Sequence, residues 1–475
     1  MSITLKPYFD YKNSGVRWLG QVPERWAAVP LKRLAWFKSG AGFPVDEQGQ
    51  RDLALPFFKV SDMNLPGNER AMRAWNNAVS LATANRLGAT VFPAGTIVFP
   101  KVGGAMLTNK RRVVERPCCI DNNLMGCVVR QGDPRFVLWL LQTIDFATIA
   151  KPGPVPAISE SEVREIRVTF PPLPEQASIV RFLDHAGRCT RQYIHAKQKL
   201  IKLLEEQKQS IIHRIVTRGV DPNVRLKSSG MEWLGDVPEQ WEVKRAKWYY
   251  REIDERSATG SEELLSVSHI TGVTRRSEKN VTMFMAESYA GHKLCREGDI
   301  IINTMWAWMA ALGVARQTGI VSPSYAVYRP ISREAFLPTF IDKLLRTEPY
   351  VAEYVCRSTG IRSSRLRLYP EQFLNIPLVR PPLIEQHAIL NAIAHATSGL
   401  DCAIRSAQHE ISLLREYSTS LIADVVTGKL DVRDAAGRLP TEVDGVETLD
   451  AADELDEVAE SDSEEVEPVV ESEEI

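Results

Sequence analysis

The chain of 475 residues has few cysteines and no long apolar segment. Its seven cysteines form an odd total without any Cys-x-x-Cys spacing, which is not typical of a disulfide framework or a zinc ribbon. The longest apolar run spans residues 300–315 and is shorter than the ~20 residues needed to cross a bilayer. The N-terminus has no apolar stretch typical of a signal peptide. We therefore expect a cytoplasmic protein without a membrane segment.

Motifs for catalysis are also missing from the sequence. It contains no G-x-x-x-x-G-K-[ST] phosphate loop, so no motor for ATP-driven translocation is visible. It contains no Asn-Pro-Pro-Phe-like motif for adenine methylation, because its Pro-Pro pairs follow Phe170 and Arg380. The eight histidines include no H-E-x-x-H motif and show no metal-ligand spacing with Cys or Asp. We predict a chain without catalytic residues, bound metal or cofactor.

Basic residues are absent from residues 439–475, which hold sixteen Asp and Glu. Residues 1–438 therefore carry 58 basic and 44 acidic side chains and a formal charge of +14. A body of this charge is compatible with a polyanionic partner. The acid-rich composition with few aromatics predicts a disordered tail, to which we assign residues 433–475. This tail could compete with such a partner for the positive body.

The sequence contains an internal repeat. The segment 14–26 recurs at 229–241 with nine of thirteen positions identical, including Trp18 and Trp26 in the first copy and Trp233 and Trp241 in the second. The segment Pro-Pro-Leu-x-Glu-Gln at 171–176 recurs at 381–386, and a weaker echo relates 95–99 to 298–302. Such a repeat predicts two similar halves. We assign the four tryptophans to the frame that the halves share.

Each Pro-Pro-Leu-x-Glu-Gln motif precedes a long segment without proline, and proline is tolerated in the first turn of a helix. Apolar residues in these segments recur at spacings of seven, three and four, which is typical of a helix-helix seam. We predict spacer helices within residues 171–220 and 381–432, paired antiparallel with each other. The predicted seam residues are Ile194, Ile201, Leu204, Ile211, Ile215, Ile404, Ile411, Leu414, Leu421 and Val425.

The segments before the spacer helices contain short predicted strands between turn signals, together with shorter helices. We therefore predict an α+β fold class, with mixed α/β domains at residues 1–170 and 221–380. The two domains share a similar frame and are separated by two long antiparallel coiled-coil helices. A tandem repeat behaves like a fused homodimer, so we expect a pseudo-twofold axis.

The combination of these motifs resembles the DNA-specificity subunit of type I restriction-modification enzymes. It consists of Gly-x-x-Trp-Leu-Gly-x-x-Pro-x-x-Trp twice and Pro-Pro-Leu-x-Glu-Gln before a long helix twice, in the same order in both halves. The resemblance covers residues 6 to about 432 and leaves out the acidic tail.

The resemblance implies a non-catalytic subunit with two target recognition domains. Each domain would read one half of a bipartite site on double-stranded DNA, and the helices would set the gap between the halves. The helices would also dock two methyltransferase subunits, which support restriction subunits with nuclease and translocase activity. The resemblance implies S-adenosylmethionine, ATP and magnesium for those partner subunits and no cofactor for this chain.

Candidate DNA contacts are basic and amide side chains in loop-like segments of the two domains. Cationic side chains bind phosphates, and asparagine can pair with adenine. The same residues could instead form structural turns or a solvated charged face. The candidates are Lys101, Asn109, Lys110, Arg111, Arg112 and Asn122 in the first domain, and Asn303, Arg357, Arg362, Arg365 and Arg367 in the second.

Two other functions stay open at the level of the sequence. The chain could be a nucleic-acid enzyme with a dispersed active site, or a coiled-coil scaffold that assembles other proteins without sequence-specific DNA binding. The duplicated frame around two divergent domains favours the recognition subunit, because a scaffold does not require two differently shaped readers.

Overall fold

The computed structural model describes residues 5–150, 155–278, 288–360 and 366–440. The chain forms two compact units, the first from residues 1–197 and 409–475 and the second from residues 198–408. The unit boundaries fall inside the two long helices, whereas the predicted domains end before those helices begin. Within the described ranges, no helix is both long enough and apolar enough to cross a membrane.

The first unit is built from short strands, short helices and half of a long helix. Its strands are β1 Tyr11–Asn13, β2 Gln21–Pro23, β3 Ala27–Pro30, β4 Ala35–Ser39, β5 Leu55–Phe58, β6 Ala71–Met72, β7 Ala78–Val79, β8 Ile97–Pro100, β9 Arg112–Val114, β10 Cys119–Ile120, β11 Leu124–Val129 and β12 Arg167–Phe170. Its helices are α1 Leu81–Arg86, α2 Gly104–Leu107, α3 Pro134–Gln142, α4 Glu160–Glu165 and the N-terminal half of α5 Leu173–Arg218.

The second unit has the same mixture of elements. Its strands are β13 Leu226–Ser228, β14 Asp236–Pro238, β15 Glu242–Arg245, β16 Tyr250–Ile253, β17 Leu265–Ser268, β18 Gly272–Arg275, β19 Lys293–Cys295, β20 Ile300–Ile302, β21 Leu312–Val314, β22 Gly319–Val321, β23 Ala326–Pro330 and β24 Pro377–Arg380. Its helices are α6 Pro338–Leu345, α7 Glu348–Arg357, α8 Pro370–Leu374 and the N-terminal part of α9 Leu383–Val426. The short helix α10 Arg433–Gly437 belongs to the first unit. The expected mixed α/β fold with a long helix is confirmed.

The two units use the same scheme of strand pairs. In the first unit, β1 pairs with β2, β3 pairs with β12, and a sheet has the order β4-β11-β8-β9-β6. In the second, β13 pairs with β14, β15 pairs with β24, and a sheet has the order β16-β23-β20-β21. The additions differ, because the first unit carries a β10-β5-β7 sheet and the second carries the pairs β17-β18 and β19-β22. Divergent segments therefore build different surfaces on one frame.

The long helices run antiparallel within each unit. In the first unit, Val180 near the start of α5 shares a buried cluster with Val425 at the end of α9, and further along Lys197 pairs with Glu410 at 2.8 Å. In the second unit, residues near the end of α5 share a cluster with residues near the start of α9, and Lys208 Nζ lies 2.5 Å from Asp401 Oδ1.

None of the predicted seam residues is exposed. Branched and long aliphatic side chains at these positions bury apolar surface that would otherwise face water. The buried ones are Ile215, Ile404, Ile411, Leu421 and Val425, and the half-buried ones are Ile194, Ile201, Leu204, Ile211 and Leu414.

A buried glutamine fixes the first turn of each long helix. Gln176 Nε2 donates to the Pro171 carbonyl at 2.7 Å, and its Oε1 accepts from the Asp133 amide at 2.8 Å. Gln386 Oε1 accepts in the same way from the Leu337 amide at 2.8 Å. Asp133 and Leu337 are the N-cap residues of α3 and α6. The last residue of the repeated Pro-Pro-Leu-x-Glu-Gln motif thus links each long helix to a shorter helix of its unit.

The second tryptophan of the other repeated motif packs against the end of a long helix. Trp26 and Trp241 are buried, and each lies beside a glycine that follows a helix, Gly428 after α9 and Gly219 after α5. Both glycines have a left-handed backbone, with φ of 82° and 80°, a conformation typical of the residue that ends a helix. A Cβ on Gly428 would lie 2.5 Å from Pro23 Cδ, so only glycine allows this close packing.

The first tryptophan of that motif lies in a surface turn of each unit, and its environment differs between the two copies. Trp18 is 48% exposed because it lies in the surface turn between β1 and β2. Trp233 is half-buried in the equivalent turn, with its ring edge-on to Tyr350 at 5.1 Å between centroids.

The predicted start of the disordered tail at residue 433 is wrong, because residues 433–437 are folded. Residues Arg433–Gly437 form α10, and Ala435 and Ala436 are buried in the core of the first unit. The chain beyond the helix is held by Arg181, which donates to the Leu439 carbonyl at 2.6 Å. Because the small side chains of Ala435 and Ala436 pack in the core of the first unit, this segment belongs to the folded unit. Residues 441–475 lie outside the described residues.

Replacing Gly428 with alanine should destabilise the first unit. The substitution Gly428→Ala places a side chain in a left-handed conformation and against Pro23, which should cost at least about 2 kcal/mol. Calorimetric unfolding should show a lower melting temperature. Gly437→Ala is the matched control, because a Cβ there meets nothing within 4 Å. Equal melting temperatures for the two variants would contradict the packing described here.

Candidate nucleic-acid interface

In the first unit, Lys101 lies where three chain segments meet, directly after β8. Its Nζ donates to Ser39 Oγ at 3.0 Å. Its amide donates to the Asn123 carbonyl at 2.9 Å, and its carbonyl accepts from the Ile158 amide at 2.9 Å. The neighbouring Asn122 is exposed. The fold therefore brings together two predicted contacts, Lys101 and Asn122.

An acidic side chain lies close to this pair. Glu160 Oε1 accepts from the Ser39 amide at 2.7 Å. Burial raises the pKa of Glu160, but the Ser39 hydrogen bonds and the Lys38 and Lys101 cations outweigh it, and the net pKa is below its ordinary value. The carboxylate is thus ionised at neutral pH and reduces the positive potential beside Lys101.

Arg111 is a core residue, and its prediction as a DNA contact is wrong. It is 2% exposed, and its guanidinium lies over the rings of Phe146 at 4.2 Å and Phe99 at 5.1 Å. Burial lowers its pKa to about 9. A cation between two aromatic faces is stabilised by their quadrupoles, and it cannot reach a phosphate. Asn109, which has a φ of 54°, donates from Nδ2 to the Gln142 carbonyl at 3.0 Å and shapes the same turn.

The remaining two predicted residues of this segment point to another surface. Lys110 bonds to Asn64 through its ammonium group. Arg112 Nε donates to the Asn68 carbonyl at 2.5 Å. Arg112 also starts β9, which pairs in parallel with β6, so that Ala71 lies opposite Val113.

The β6-β9 pair gathers arginines that are distant in sequence. Arg70 and Arg73 flank β6, and Arg112 and Arg116 lie at the two ends of β9. The Arg116 guanidinium lies 5.2 Å from the Trp75 ring centroid, and Trp75 Nε1 donates to the Arg51 carbonyl at 3.0 Å. We call this set the arginine patch; it consists of Arg51, Arg70, Arg73, Arg112 and Arg116.

The arginine patch has the chemistry that a nucleic acid requires. Four of its members are exposed and Arg112 is half-buried. Glu115 pairs with Arg73 at 2.9 Å and offsets part of the charge. Guanidinium groups bind phosphates through paired hydrogen bonds, and an arginine over an indole offers a flat surface to a base. Most of this patch is not visible in the sequence, because its members are spread over residues 51–116.

In the second unit, Asn303 is buried, and its prediction as a DNA contact is wrong. It is 6% exposed. Its Nδ2 donates to the Tyr325 hydroxyl at 3.3 Å, and its Oδ1 accepts from the Met305 amide at 3.3 Å. An asparagine that bonds to the backbone two residues ahead forms a turn. Its role is therefore to shape the loop after β20.

The predicted arginines of the second unit have different environments. Arg357 ends α7 and pairs with Glu353 at 2.5 Å, one helical turn earlier. Arg367 is exposed and its amide donates to the Thr359 carbonyl at 2.9 Å. The next amide, of Leu368, donates to Thr304 at 2.9 Å, so Arg367 lies beside the loop after β20. Arg362 and Arg365 lie outside the described residues.

The loops after β8 and β20 occupy equivalent places in the two frames. Val102 forms a bridge with Ala157 just before α4, and Thr304 contacts Leu368 just before α8. Each unit therefore presents one loop and one pre-helical segment side by side. Among the residues that the structure describes, no group of three or more His, Cys, Asp or Glu could hold a metal ion.

The chain is similar to known specificity subunits in sequence. It is 22% identical over 298 residues to the type I restriction enzyme MjaVIII specificity subunit of Methanocaldococcus jannaschii, covering 59% of this chain and 65% of that protein. It is 28% identical over 116 residues to the putative MjaX specificity subunit of the same organism, covering 23% of this chain and 26% of that protein. The chain thus matches less than two thirds of the length of either relative. No family model matches the sequence.

The fold is also similar to that of a solved protein. A chain from a structure of complex assembly and conformational transition in a type I restriction-modification system has a TM-score of 0.55 with this chain at 17% identity. The similarity covers 86% of this chain and 99% of that chain. The resemblance to type I specificity subunits that the motifs indicated is therefore confirmed.

Two arginines that are close in sequence should respond differently to substitution. Arg116→Ala should weaken binding to duplex DNA and reduce the slope of log K against log salt by about 1, because one phosphate contact is lost. Arg111→Met should leave DNA affinity unchanged, because the buried guanidinium faces Phe99 and Phe146. Fluorescence anisotropy with a labelled duplex over a series of salt concentrations measures both effects. An Arg111→Met protein that is folded but binds as weakly as Arg116→Ala would contradict the assignment.

Proposed function

We propose that this chain is the DNA-specificity subunit of a type I restriction-modification enzyme. The observation that carries the proposal is the pair of units with one scheme of strand pairs and different additions. A shared frame with different surfaces suits two readers of different DNA sequences. In this proposal the chain is not itself an enzyme, and it directs the adenine methyltransferase and endonuclease activities of partner subunits.

Each unit would read one half of a bipartite site on double-stranded DNA. In the first unit the arginine patch would bind phosphates, and the loop after β8, with Lys101 and Asn122 beside it, would lie near the base edges. In the second unit Arg367 and the loop after β20 are the corresponding candidates. The formal charge of +14 on residues 1–438 supports a DNA partner, because phosphate contacts supply most of the non-specific affinity.

The two long helices would set the gap between the half-sites. Helix α5 has 46 residues, which corresponds to about 69 Å at 1.5 Å per residue. This is about two turns of B-DNA, for which a turn is ~34 Å. A tandem repeat would be expected to place its copies about a pseudo-twofold axis, so that equivalent surfaces would face equivalent half-sites.

The outer faces of the long helices would dock two methyltransferase subunits. Several apolar side chains on α5 and α9 face solvent, including Tyr193 at 50% and Leu203 at 53% exposure. Exposed apolar stripes mark surfaces that a partner covers. Restriction subunits would join through the methyltransferase subunits. We expect S-adenosylmethionine, ATP and magnesium to be bound by these partners rather than by this chain. Leu200, Leu413 and Tyr417 on these two helices are exposed as well.

A genome-wide map of N6-methyladenine tests the proposal directly. The map is made in the native cell and in a strain that lacks this chain, with the partner subunits expressed in both. Loss of methylation at a two-part motif with a fixed gap is the expected result and identifies the target. Identical maps would overturn the proposal and favour a scaffold role.

Exchanging the first reading surface should change one half of the target. Residues 27–165 are replaced by the equivalent segment of another specificity subunit, which leaves β1, β2 and the long helices in place. Methylation mapping should show one new half-site, with the other half-site and the gap unchanged, because the second unit is contiguous at 198–408. A change in both half-sites would exclude independent reading.

Lengthening both helices should widen the gap. Seven residues are inserted after Leu204 in α5 and after Ile404 in α9, which keeps the a/d spacing in both helices. The insertion adds about 10 Å, or roughly three base pairs of B-DNA. Both half-sites should stay the same in the methylation map. The control carries the seven residues after Leu439, outside the long helices, and an unchanged gap in the test protein would show that the helices are not the ruler.

A further inference from the structure

The described chain ends on a basic surface of the first unit. Arg181 on α5 donates to the carbonyls of Leu439 at 2.6 Å and Pro440 at 3.2 Å. The segment 441–475 follows directly and contains sixteen Asp and Glu without a single Lys or Arg. The acidic segment therefore starts beside an arginine of the DNA-reading unit.

Basic side chains connect this exit point to the arginine patch. Asp184 lies three residues after Arg181 on α5 and pairs with Arg135 at 3.6 Å. Burial raises the pKa of Asp184, while the Trp139 hydrogen bond and the cations of Arg135, Arg70 and Arg188 oppose that rise. The Arg70 cation of the arginine patch therefore acts on the Asp184 carboxylate, which lies about one helical turn after Arg181. Along this stretch the four cations Arg181, Arg135, Arg188 and Arg70 face two carboxylates, Asp133 and Asp184.

The number of residues in the acidic segment bears on how far it could reach from the exit point. It has 35 residues, and a flexible chain of that length has an r.m.s. end-to-end distance of about 30–35 Å. Repulsion between carboxylates would favour still larger distances. Tethering gives the segment an effective concentration of about the millimolar range at the surface, so a weak electrostatic affinity is enough to occupy it.

We propose that residues 441–475 occupy the basic surface of the first unit, from Arg181 to the arginine patch, and compete there with DNA. The proposal rests on the proposed function only in that the arginine patch binds DNA. The segment presents carboxylates where DNA presents phosphates, and both bind guanidinium groups through paired hydrogen bonds. DNA must displace the segment, which favours long, well-matched contacts over weak non-specific ones. The segment thus lowers non-specific affinity without reading any sequence.

The test uses the full chain with a neutral tail. Every Asp and Glu in residues 441–475 is replaced by Asn or Gln, and affinity for a non-specific duplex is measured by anisotropy. Affinity should rise about 3- to 10-fold at low salt and converge with that of the natural chain near 0.5 M salt, where charges are screened. The matched control has a tail of the same composition in scrambled order, and its affinity should equal that of the natural chain.

A second pair of variants locates the competition. Arg73→Ala with Arg116→Ala should weaken DNA binding and also shrink the gain that the neutral tail produces. Equal affinity of the neutral-tail and natural chains at low salt would overturn the proposal. An undiminished gain in the Arg73→Ala, Arg116→Ala background would overturn the location on the patch. Because the duplex is non-specific, these outcomes are independent of whether methylation mapping finds a bipartite target.

Discussion

The structure depends on a buried amide at the first turn of each long helix. Gln176 and Gln386 are fully buried, and each bonds to the backbone at the N-cap of the helix that covers its sheet. A buried backbone amide that loses its partner costs the full desolvation penalty, on the order of 1–3 kcal/mol. The bonds therefore hold the first turn of each long helix against the shorter helix of the same unit. A helix can act as a ruler only if its ends are held in this way.

The frame could be predicted from the sequence, whereas the candidate DNA-contact surfaces could not. The repeated Trp-Leu-Gly and Pro-Pro-Leu-x-Glu-Gln motifs indicate two similar halves. The apolar spacing indicates the two long helices and the side chains of the seam between them. These signals are strong because the helices are long and periodic. Many strands have only two to five residues, such as Ala71–Met72 and Ala78–Val79, and a pattern of period two cannot be read in so few positions. Their pairing is decided by contacts distant in sequence.

The same limit explains the errors in the candidate contacts. The run from Lys110 to Arg112 shows in the sequence where positive charge lies, but it does not show which of these side chains is buried. The aromatic rings that enclose Arg111 belong to Phe99 and Phe146, which are distant in sequence. Asn303 was assigned by its place after a strand, and the turn that follows uses its side chain internally. The arginine patch had no signal in the sequence, because the parallel pairing of β6 with β9 assembles it. Of its five arginines, the sequence pattern predicts only Arg112 as a DNA contact.

The first unit also requires both ends of the described chain. The Asp431 amide donates to the Lys6 carbonyl at 2.8 Å, which joins the two ends of the described chain. In the second unit no such bond is needed, because the chain runs without a break through the equivalent position, Asp221. The end of α9 is fixed as well, because Thr169 Oγ1 donates to the Val426 carbonyl at 2.8 Å. Residues 198–408 are contiguous and hold every strand of the second unit, whereas the first unit lacks part of its core until residues 409–437 are present. Non-local contacts of this kind close late, so the second unit can fold before the first, although the first is synthesised earlier.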